Sequence, residues 1–412
     1  MKPGQLKVAL VAGEDPGWGG IGSYTGILAS GLRDLGLQVH LVLRGWEEDC
    51  RSVEDGVVVH RVTVPEPSWR RGTEAVVSRL YVARESLVFS ARVGRLLSRL
   101  AREEGVAVVE TPEFHAPGIV AALRARLSAR PPAVVVRMHT PSYLTTRMDD
   151  EARTHDVRAC ELLELASARA AAVVTSPSAA LAAEVARRWR IDRERIVVVP
   201  NPVDAELFEP GGEPEDRDTI LVAGRIEPRK GQHVLVEALP AIRRAVPGAR
   251  VRLVGADGNE RDGVSPVQRL RRRIAELGVE ADALLVDPPR PRADLPSVYR
   301  SAAVCAVPSS FDNFPYTCLE AMACGRPVVA TNAGGPAEMI DSGRDGVLIP
   351  ADRPAALAQA VVELLHDPAR RRRLGEAARA KVLQSFSTPS VAARMERIYS
   401  DAGKAREASA RG

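Results

Sequence analysis

The chain has 412 residues, of which 45% are hydrophobic and 27% are charged; at about 150 residues per domain, this length predicts two or three domains, each with its own hydrophobic core. The net charge of +4 argues against a nucleic-acid-binding protein. No apolar run reaches the roughly 18–20 residues of a transmembrane helix, and five cysteines without a CxxC pair predict neither a zinc site nor a disulfide framework.

The first half of the chain alternates short β-branched runs with longer amphipathic stretches. It enters a strand at residue 6 without a signal-peptide pattern, so we expect a cytoplasmic protein. The predicted strands are 6–12, 39–43, 57–62, 106–110, 133–138, 172–175 and 196–199. The predicted helices between them include 23–35, 74–103 and 118–127. Strands that alternate with helices of this length predict an α/β fold with a doubly wound parallel sheet.

Residues 201–218 interrupt this alternation with three prolines and seven acidic residues, a composition typical of an interdomain linker. Beyond the linker the alternation resumes. The further predicted strands are 219–223, 250–254, 284–286, 304–307, 327–331 and 347–349. The further predicted helices are 232–245, 266–277, 295–301, 317–323, 333–341 and 353–365. The chain therefore contains two doubly wound α/β halves.

The end of the chain adds helices beyond the second sheet. The helical pattern continues to residue 384, breaks at 386–389 and resumes at about 390–402. We predict that this last helix crosses back to the first half. The predicted domains are residues 1–200 and 219–385, joined by the linker 201–218 and followed by the crossing segment 386–412.

A glycine-rich segment follows the first strand. Gly17, Gly19 and Gly22 spell GxGxxG before a helix, a pattern typical of dinucleotide-binding sites. The segment is longer than a tight dinucleotide turn, and Arg44 ends the second strand where an acid would bind the ribose. Because Arg44 suits a 2′-phosphate, an NADP-dependent oxidoreductase stays open, as does a glycine turn with no ligand. We prefer a cradle of backbone amides for phosphate or sugar.

Two cations follow the first strand of the second half. Arg225 and Lys230 lie five positions apart in a strand-to-helix turn, where open α/β sheets bind ligands. The arginine suits bidentate binding of a diphosphate, and the lysine acts as a point charge. Two solvated surface cations are the alternative.

Two carboxylates follow a later strand. Asp312 falls in a loop and Glu320 in the next helix, eight positions on. This separation lets one carboxylate contact a sugar while the other binds a ribose, with helix N-terminal amides facing phosphate. Purely structural acids, with Glu320 paired to Arg326, are the alternative.

These segments resemble the retaining GT-B glycosyltransferases of family 4, the glycosyl transferases group 1. The resemblance covers nearly the whole chain. It includes the glycine segment 17–22, the turn 224–231, and the motifs at 110–113, 136–140, 175–178, 199–204 and 334–338. The family's E-x7-E pattern maps to Asp312 and Glu320, and the aspartate is one methylene shorter than the usual glutamate. The resemblance implies two Rossmann-like domains that face a cleft, the first for the acceptor and the second for the nucleotide-sugar donor.

The resemblance also implies a role for each donor-site residue. Arg225 and Lys230 would neutralise the diphosphate, Glu320 would bind the ribose, and Asp312 would contact the hexose. The donor-binding residues are then Gly19, Gly20, Arg225, Lys230, Arg290, Asp312, Asn313, Phe314, Pro315, Leu319 and Glu320. Arg290 lies in the segment 286–296, which resembles the base-binding loop but has Pro288 where glycine is usual.

The first domain would supply the acceptor site. His139 would donate to a sugar hydroxyl near the reacting carbon, which makes His139, Arg225, Lys230 and Asp312 the implied catalytic set. The acceptor-binding residues would be Tyr24, Glu113, His139 and Tyr143. The loops 64–72 and 140–154 would select the acceptor.

A basic helix in the same domain has a second interpretation. Arg92, Arg95, Arg99 and Arg102 line one side of the helix that ends near residue 103. An ordinary amphipathic helix is the preferred interpretation. Peripheral membrane contact is the alternative, because relatives with lipid acceptors carry basic helices in the first domain.

The predicted function is transfer of a hexose, N-acetylhexosamine or related sugar from a UDP- or GDP-linked donor to an acceptor hydroxyl, with retention at the anomeric carbon. The acceptor is a small molecule, a glycan or a lipid-linked sugar, and the protein is a monomer or homodimer. No metal or other cofactor is predicted, because the one Asp-x-Asp motif, 216–218, precedes a strand and lies away from the turn 224–231. A pseudo-glycosyltransferase that couples a nucleotide-linked cyclitol to an amine, and a binding module without turnover, stay open.

Overall fold

The structure is a computed structural model that describes residues 6–17, 19–64, 80–127, 131–148, 154–212, 215–260 and 263–411. The chain forms two compact units. The first unit comprises Met1–Pro202 with Thr388–Gly412, and the second comprises Val203–Ser387. Residues 74–79 of the predicted long helix, residues 65–72 of the first predicted acceptor loop and residues 149–153 of the second lie outside the described residues.

The first unit is built on an eight-stranded sheet. Its strands are β1 (Lys7–Val11), β2 (Gln38–Gly45), β3 (Cys50–Glu54), β4 (Val57–Thr63), β5 (Val108–Pro112), β6 (Ala133–Arg137), β7 (Val173–Ser176) and β8 (Ile196–Val198). The order is β3-β4-β2-β1-β5-β6-β7-β8, and β3 alone runs antiparallel to its neighbour. The winding direction reverses between β1 and β5, and ligands of doubly wound sheets bind beyond the carboxyl ends of such a strand pair.

Helices cover the first sheet. They are α1 (Gly19–Asp34), α2 (Tyr81–Glu103), α3 (Ile119–Leu127), α4 (Ser142–Met148), α5 (His155–Ala170) and α6 (Ala179–Trp189). Helix α2 buries Phe89, Val93 and Leu97 against strand residues that include Val42 and Val62. Its apolar stripe therefore fixes which side of the helix carries the arginines. Among the described residues, no helix combines the length and apolar composition that a membrane span requires.

The second unit is built on a parallel six-stranded sheet. Its strands are β9 (Asp216–Ala223), β10 (Arg250–Val254), β11 (Leu284–Asp287), β12 (Ala302–Val307), β13 (Val328–Thr331) and β14 (Val347–Ile349). Its helices are α7 (Gln232–Ala245), α8 (Pro266–Glu276), α9 (Leu295–Ser301), α10 (Tyr316–Ala323), α11 (Pro336–Met339), α12 (Pro354–His366) and α13 (Pro368–Ser385). The strand order β11-β10-β9-β12-β13-β14 reverses its winding between β9 and β12. The loops after these two strands therefore meet at the ligand-binding edge.

Part of the predicted linker folds into the second unit. Val203 and Phe208 are fully buried in the core cluster that contains Leu221. The guanidinium of Arg379 donates to the carbonyl oxygens of Ala205 and Phe208 at 2.8 and 3.0 Å. Strand β9 also begins at Asp216, three residues before the predicted start. Because prolines and acids dominate this segment, its few apolar side chains were not recognised as core residues.

The last helix, α14 (Thr388–Arg411), belongs to the first unit and is longer than predicted. Its residues Thr388 and Ala392 pack on α1 at Gly31, where a side-chain Cβ would lie only 2.7 and 2.9 Å from their methyl groups. The Tyr399 hydroxyl donates to Glu110 at 2.8 Å. These contacts attach the end of the chain to the strand β5 side of the first sheet.

Candidate functional site

The turn after β9 brings one of its two cations to the predicted carboxylate. Lys230 donates from Nζ to Oδ2 of Asp312 at 2.7 Å, and the two side chains are 20% and 13% exposed. Arg225 is 64% exposed, and its guanidinium lies 3.7 Å from Glu227. The structure therefore joins Lys230 to Asp312 at the edge where the sheet reverses, while Arg225 extends towards solvent.

Glycines allow the neighbouring loops to approach this ion pair. Gly231 has a φ of +73°, and a Cβ there would collide with the carbonyl oxygen of Pro308. On the other side, a Cβ at Gly334 or Gly335 would collide with the carbonyl oxygen of Asp312 or Asn313. The Gly335 amide also donates to the Asp312 carbonyl at 2.8 Å. The loop that carries Asp312 is thus held between two glycine turns.

Glu320 lies in the core, 3% exposed, with two oriented partners. Tyr299 donates its hydroxyl to Oε2 at 2.7 Å, and the Arg292 guanidinium lies 2.8 Å from Oε1. Burial raises the pKa of Glu320, and the positive charge of Arg292 acts in the opposite direction. The alternative pairing with Arg326 is wrong, because Arg326 pairs with Glu215 at 2.7 Å.

Arg292 was not identified from the sequence. Its guanidinium packs against the rings of Phe208 and Tyr316, with distances of 5.0 and 5.6 Å to the ring centres. Planar guanidinium groups pack well on aromatic rings. The only available signal was its place in the segment that resembles a base-binding loop, and Tyr299 had no signal.

The other predicted donor residues divide into buried side chains and one surface arginine. Phe314 and Leu319 are buried, and Phe314 packs edge-on against Phe386. Asn313 is also buried, and Pro315 precedes the first turn of α10. Ligand contacts of Phe314 and Pro315 would therefore use the backbone. Arg290 lies 3.3 Å from Asp287, a residue that also pairs with Arg252.

His139 follows β6 and is held through its backbone. Its amide donates to both side-chain oxygens of Glu113 at 2.8 Å. The imidazole lies edge-on to the Tyr24 ring, 5.1 Å between ring centres. Burial, and then the charge of Arg137, lower the pKa of His139 well below its usual value. The ring is therefore neutral at physiological pH.

Glu113 is fully buried and holds His139 through the backbone amide of that residue. A second buried carboxyl, Glu164, accepts from the Ser142 amide at 3.0 Å and from the His115 amide at 3.1 Å. Burial and the proximity of Glu164 raise the pKa of Glu113 to about 8, and burial raises that of Glu164 to about 7. The two carboxyls brace the loops after β5 and β6. Glu164 was missed because nothing in its local sequence marks it.

Tyr24 and Tyr143 are buried, which leaves His139 as the one predicted acceptor residue with an exposed part. The Arg137 guanidinium lies 4.6 Å from the centre of the Tyr24 ring. Tyr143 packs on Trp189, with 6.0 Å between ring centres. Both tyrosines therefore shape the loops that surround His139.

The glycine segment is shorter as a loop than predicted, because α1 begins at Gly19. Gly19 has a φ of +61°, and a Cβ there would collide with the carboxylate of Glu14. That carboxylate therefore lies at the helix N-terminus, where the helix dipole favours a negative charge. Trp18 lies outside the described residues.

Two findings bear on cofactors. Arg44 forms an ion pair with Glu85 and contacts the ring of Trp46. Its positive charge is therefore already paired with a carboxylate. In the part of the chain that the structure describes, no group of three or more His, Cys, Asp or Glu side chains is placed to hold a metal ion.

The fold and these motifs define a two-domain α/β protein of the glycosyltransferase class. Residues 203–381 match the family described as Glycosyl transferases group 1, and residues 18–207 match Glycosyltransferase Family 4. The D-inositol 3-phosphate glycosyltransferase of Arthrobacter sp. (strain FB24) is 30% identical over 382 residues, which cover 89% of this chain and 87% of the relative. The chain belongs to glycosyltransferase family 4, the glycosyl transferases group 1, and the predicted family is confirmed.

Other relatives match over shorter stretches. The D-inositol 3-phosphate glycosyltransferase of Corynebacterium glutamicum (strain R) is 33% identical over 231 residues, 53% of this chain. This match spans about half the length of that relative, 54%.

Solved structures share the architecture. Sucrose-phosphate synthase from Thermosynechococcus elongatus superposes with a TM-score of 0.76 at 22% identity, over 97% of this chain and 100% of that structure. The Anabaena protein HepE, solved with UDP and glucose, gives a TM-score of 0.68 at 21% identity, over 96% and 100% of the two chains. At these identities the likeness concerns the fold, and the predicted GT-B fold class is confirmed.

Proposed function

We propose that this protein transfers a sugar from a nucleotide diphosphate sugar to an acceptor hydroxyl, with retention at the anomeric carbon. The observation that carries the proposal is the Lys230–Asp312 ion pair at the edge where the second sheet reverses. Membership of the family and the ligands of a structural neighbour support it. HepE was solved with UDP and with UDP-glucose, which favours a UDP-linked donor.

The two partners of the ion pair would bind different parts of the donor, the diphosphate and the sugar. When a diphosphate binds, its oxygens would take the Lys230 ammonium from Asp312. The charge that develops as the sugar C1–O bond to phosphate breaks would then be stabilised by Lys230, with Arg225 free to turn in from solvent. The released Asp312 carboxylate would accept from a hexose hydroxyl. The acceptor oxygen bonds to C1, and its proton passes to a departing phosphate oxygen.

Glu320 would bind the ribose hydroxyls. Tyr299 and Arg292 each use one oxygen of the carboxylate, and each oxygen keeps a lone pair for a further donor. The same two partners fix the carboxylate in position before the nucleotide arrives. Preorganised acceptors of this kind cost little reorganisation on binding.

His139 would bind a sugar hydroxyl near the reacting carbon. The neutral imidazole can donate from one nitrogen and accept at the other. Gly19 and Gly20 would offer backbone amides to phosphate once the Glu14 carboxylate moves away from the helix end. The names of the curated relatives favour a small polyol acceptor over a polysaccharide.

We also propose that no divalent metal takes part. Asp216, in the one Asp-x-Asp motif, accepts from Thr219 at 2.8 Å and pairs with Arg250 at 2.8 Å. It begins β9, whereas Lys230 follows the carboxyl end of the same strand. The cations that face the diphosphate would therefore be side chains.

The experiment that tests the proposal is a donor screen with the full chain. Nucleoside diphosphates and their sugars are compared by thermal shift, because a ligand at 100 times its Kd adds about 2.7 kcal/mol of stability. The donor found is then incubated with small polyols and, separately, with an amine-bearing cyclitol, and the product linkage and anomeric configuration are read by NMR. Absence of any shift across the panel would overturn the proposal, and a carbon–nitrogen linkage would indicate the pseudo-glycosyltransferase.

A further inference from the structure

A basic groove lies in the first unit, between the β3–β4 hairpin and helix α2. It encloses about 650 Å³. Its walls carry three acidic side chains, Asp49, Glu103 and Glu104, against six arginines. The arginines are Arg51, Arg61, Arg92, Arg95, Arg99 and Arg102. None of the predicted donor or acceptor residues lines this groove.

Half of the arginines already have acidic partners. Arg92 pairs with Asp49 at 2.8 Å, Arg51 pairs with Glu104 at 3.0 Å, and Arg61 pairs with Asp15. The side chains of the other three, Arg95, Arg99 and Arg102, form no ion pair or hydrogen bond with any described residue. Among the described residues the groove therefore holds an excess of positive charge, because Glu103 is the one lining acid left beside these three arginines.

The three remaining arginines are neighbours on one helix face. Arg95, Arg99 and Arg102 follow each other at spacings of four and three, so their charges repel. Val93 and Leu97 pack in the core on the opposite side of α2, so the three arginines stay on the groove side of the helix. An anion in the groove would remove this repulsion.

The shape of the groove distinguishes it from a solvated helix face. Arg51 and Arg61 reach it from the hairpin, each paired with an acid, so guanidinium groups line two walls while the unpaired charge lies on the α2 wall. Leu96 and Leu100 add an apolar part to the α2 wall. A volume of about 650 Å³ is typical of sites that bind small organic molecules and is far larger than a single phosphate needs.

We propose that this groove binds a small organic molecule with two or more phosphate or carboxylate groups. The guanidinium group binds such oxyanions in a bidentate manner, and several guanidinium groups around one cavity select a ligand with several anionic groups. The proposal does not depend on the glycosyl transfer proposed above, because it concerns other residues.

The test is calorimetry of the full chain with inorganic tripolyphosphate as the probe, in a buffer without phosphate. Every protein carries Lys230→Ala, so that binding at the proposed diphosphate site is weakened. The groove variant adds Arg95→Gln, Arg99→Gln and Arg102→Gln. The control variant instead adds Arg271→Gln, Arg272→Gln and Arg372→Gln, three exposed arginines of the second unit with the same change of charge.

The expected result is a Kd at least tenfold weaker in the groove variant and unchanged in the control. Folding is checked by circular dichroism, and the groove variant should be as stable as its parent because no described contact is lost. Equal affinities in the two variants, equal losses in both, or no binding to the Lys230→Ala parent would overturn the proposal. A protein that sediments with phosphatidylglycerol vesicles but gives no heat with tripolyphosphate would have a lipid surface as its ligand. That result would also overturn the proposal.

Discussion

Lys230 and Asp312 are 82 residues apart in the chain and join in an ion pair, 2.7 Å from Nζ to Oδ2. They meet because β9 and β12 are adjacent strands, so the loops that follow them share one edge of the sheet. Gly231 allows the close approach of the two loops. A phosphate that binds Lys230 would therefore compete with a carboxylate for the ammonium, and Asp312 would become available for another hydrogen-bond donor.

Replacement of the lysine tests its role in leaving-group departure. We expect Lys230→Ala to lower kcat/KM by about 100-fold to 1,000-fold, or about 2.7–4 kcal/mol, the usual effect of removing one donor that stabilises developing negative charge. Initial rates with the donor from the screen measure it. Lys381→Ala is the matched control, because Lys381 pairs with Asp341 and Asp345 in the same unit. A Lys230→Ala rate within twofold of the control would contradict the assignment.

The two carboxylates should separate nucleotide binding from sugar binding. We expect Glu320→Gln to weaken UDP, because the ribose loses a charged acceptor. Asp312→Asn should spare or tighten UDP, because Lys230 loses its competing partner, while turnover of the intact donor falls. Calorimetry with UDP and steady-state rates with the donor measure these effects. Equal loss of UDP affinity in both variants would contradict the split.

Glu320→Gln needs a stability control. The change leaves Arg292 without its carboxylate, and loss of one partner from a buried ion pair costs about 3–5 kcal/mol, less where a side chain keeps some solvent contact as Arg292 does. UDP affinity is therefore measured at a temperature at which thermal unfolding shows both variants fully folded.

The parts of the fold that could be predicted are those set by local pattern. Residues 232–245 and 250–254 were predicted with the bounds that the structure shows, because apolar residues at helical spacing and a run bounded by turns are local signals. The start of α1 was missed by four residues, since glycines at 19–22 do not favour a helix. Helix propensity depends on the local sequence alone and does not include the tertiary contacts at Gly19 and Gly22.

The site could be predicted in part for the same reason. Asp312 and Lys230 are marked by turns after strands, but their mutual ion pair depends on strand order. The partners of Glu320 come from α9 and the turn before it, and those of Glu113 from α5 and the loop after β6. Such long-range contacts leave no periodic signal in the sequence.

The buried carboxyls Glu113 and Glu164 should make the first unit less stable as pH rises. Folding raises their pKa values from 4.5 to about 8 and about 7, so the folded state holds protons that the unfolded chain releases. Their stabilising contribution is complete below pH 4.5 and is lost as pH rises through 7 and 8, with a slope on the order of 1 kcal/mol per pH unit.

Tryptophan fluorescence during urea unfolding at pH 7 to 8.5 measures this slope, because below about pH 6.5 the buried histidines with lowered pKa values, such as His139, add the opposite dependence. All four tryptophans precede residue 203, so the signal reports the first unit. Glu164→Gln keeps the shape without the titration and should flatten the dependence, whereas Glu184→Gln, at an acid of the same unit that pairs with Arg187, should not. A wild-type stability that rises over this range would show that the two carboxyls are ionised in the folded protein.

Catalysis should not depend on a divalent metal. Lys230 and Arg225 would supply the positive charge at the diphosphate, and helix-terminal amides would add partial positive charge. The carboxylate of Asp216 is already engaged by Thr219 and Arg250 at the opposite end of β9. Activity should therefore survive excess EDTA, and added Mg²⁺ or Mn²⁺ should change the initial rate by less than about twofold, or about 0.5 kcal/mol in the barrier. The control is a metal-requiring enzyme inactivated by the same EDTA, and loss of turnover that one metal restores would replace this mechanism with a metal-bridged diphosphate.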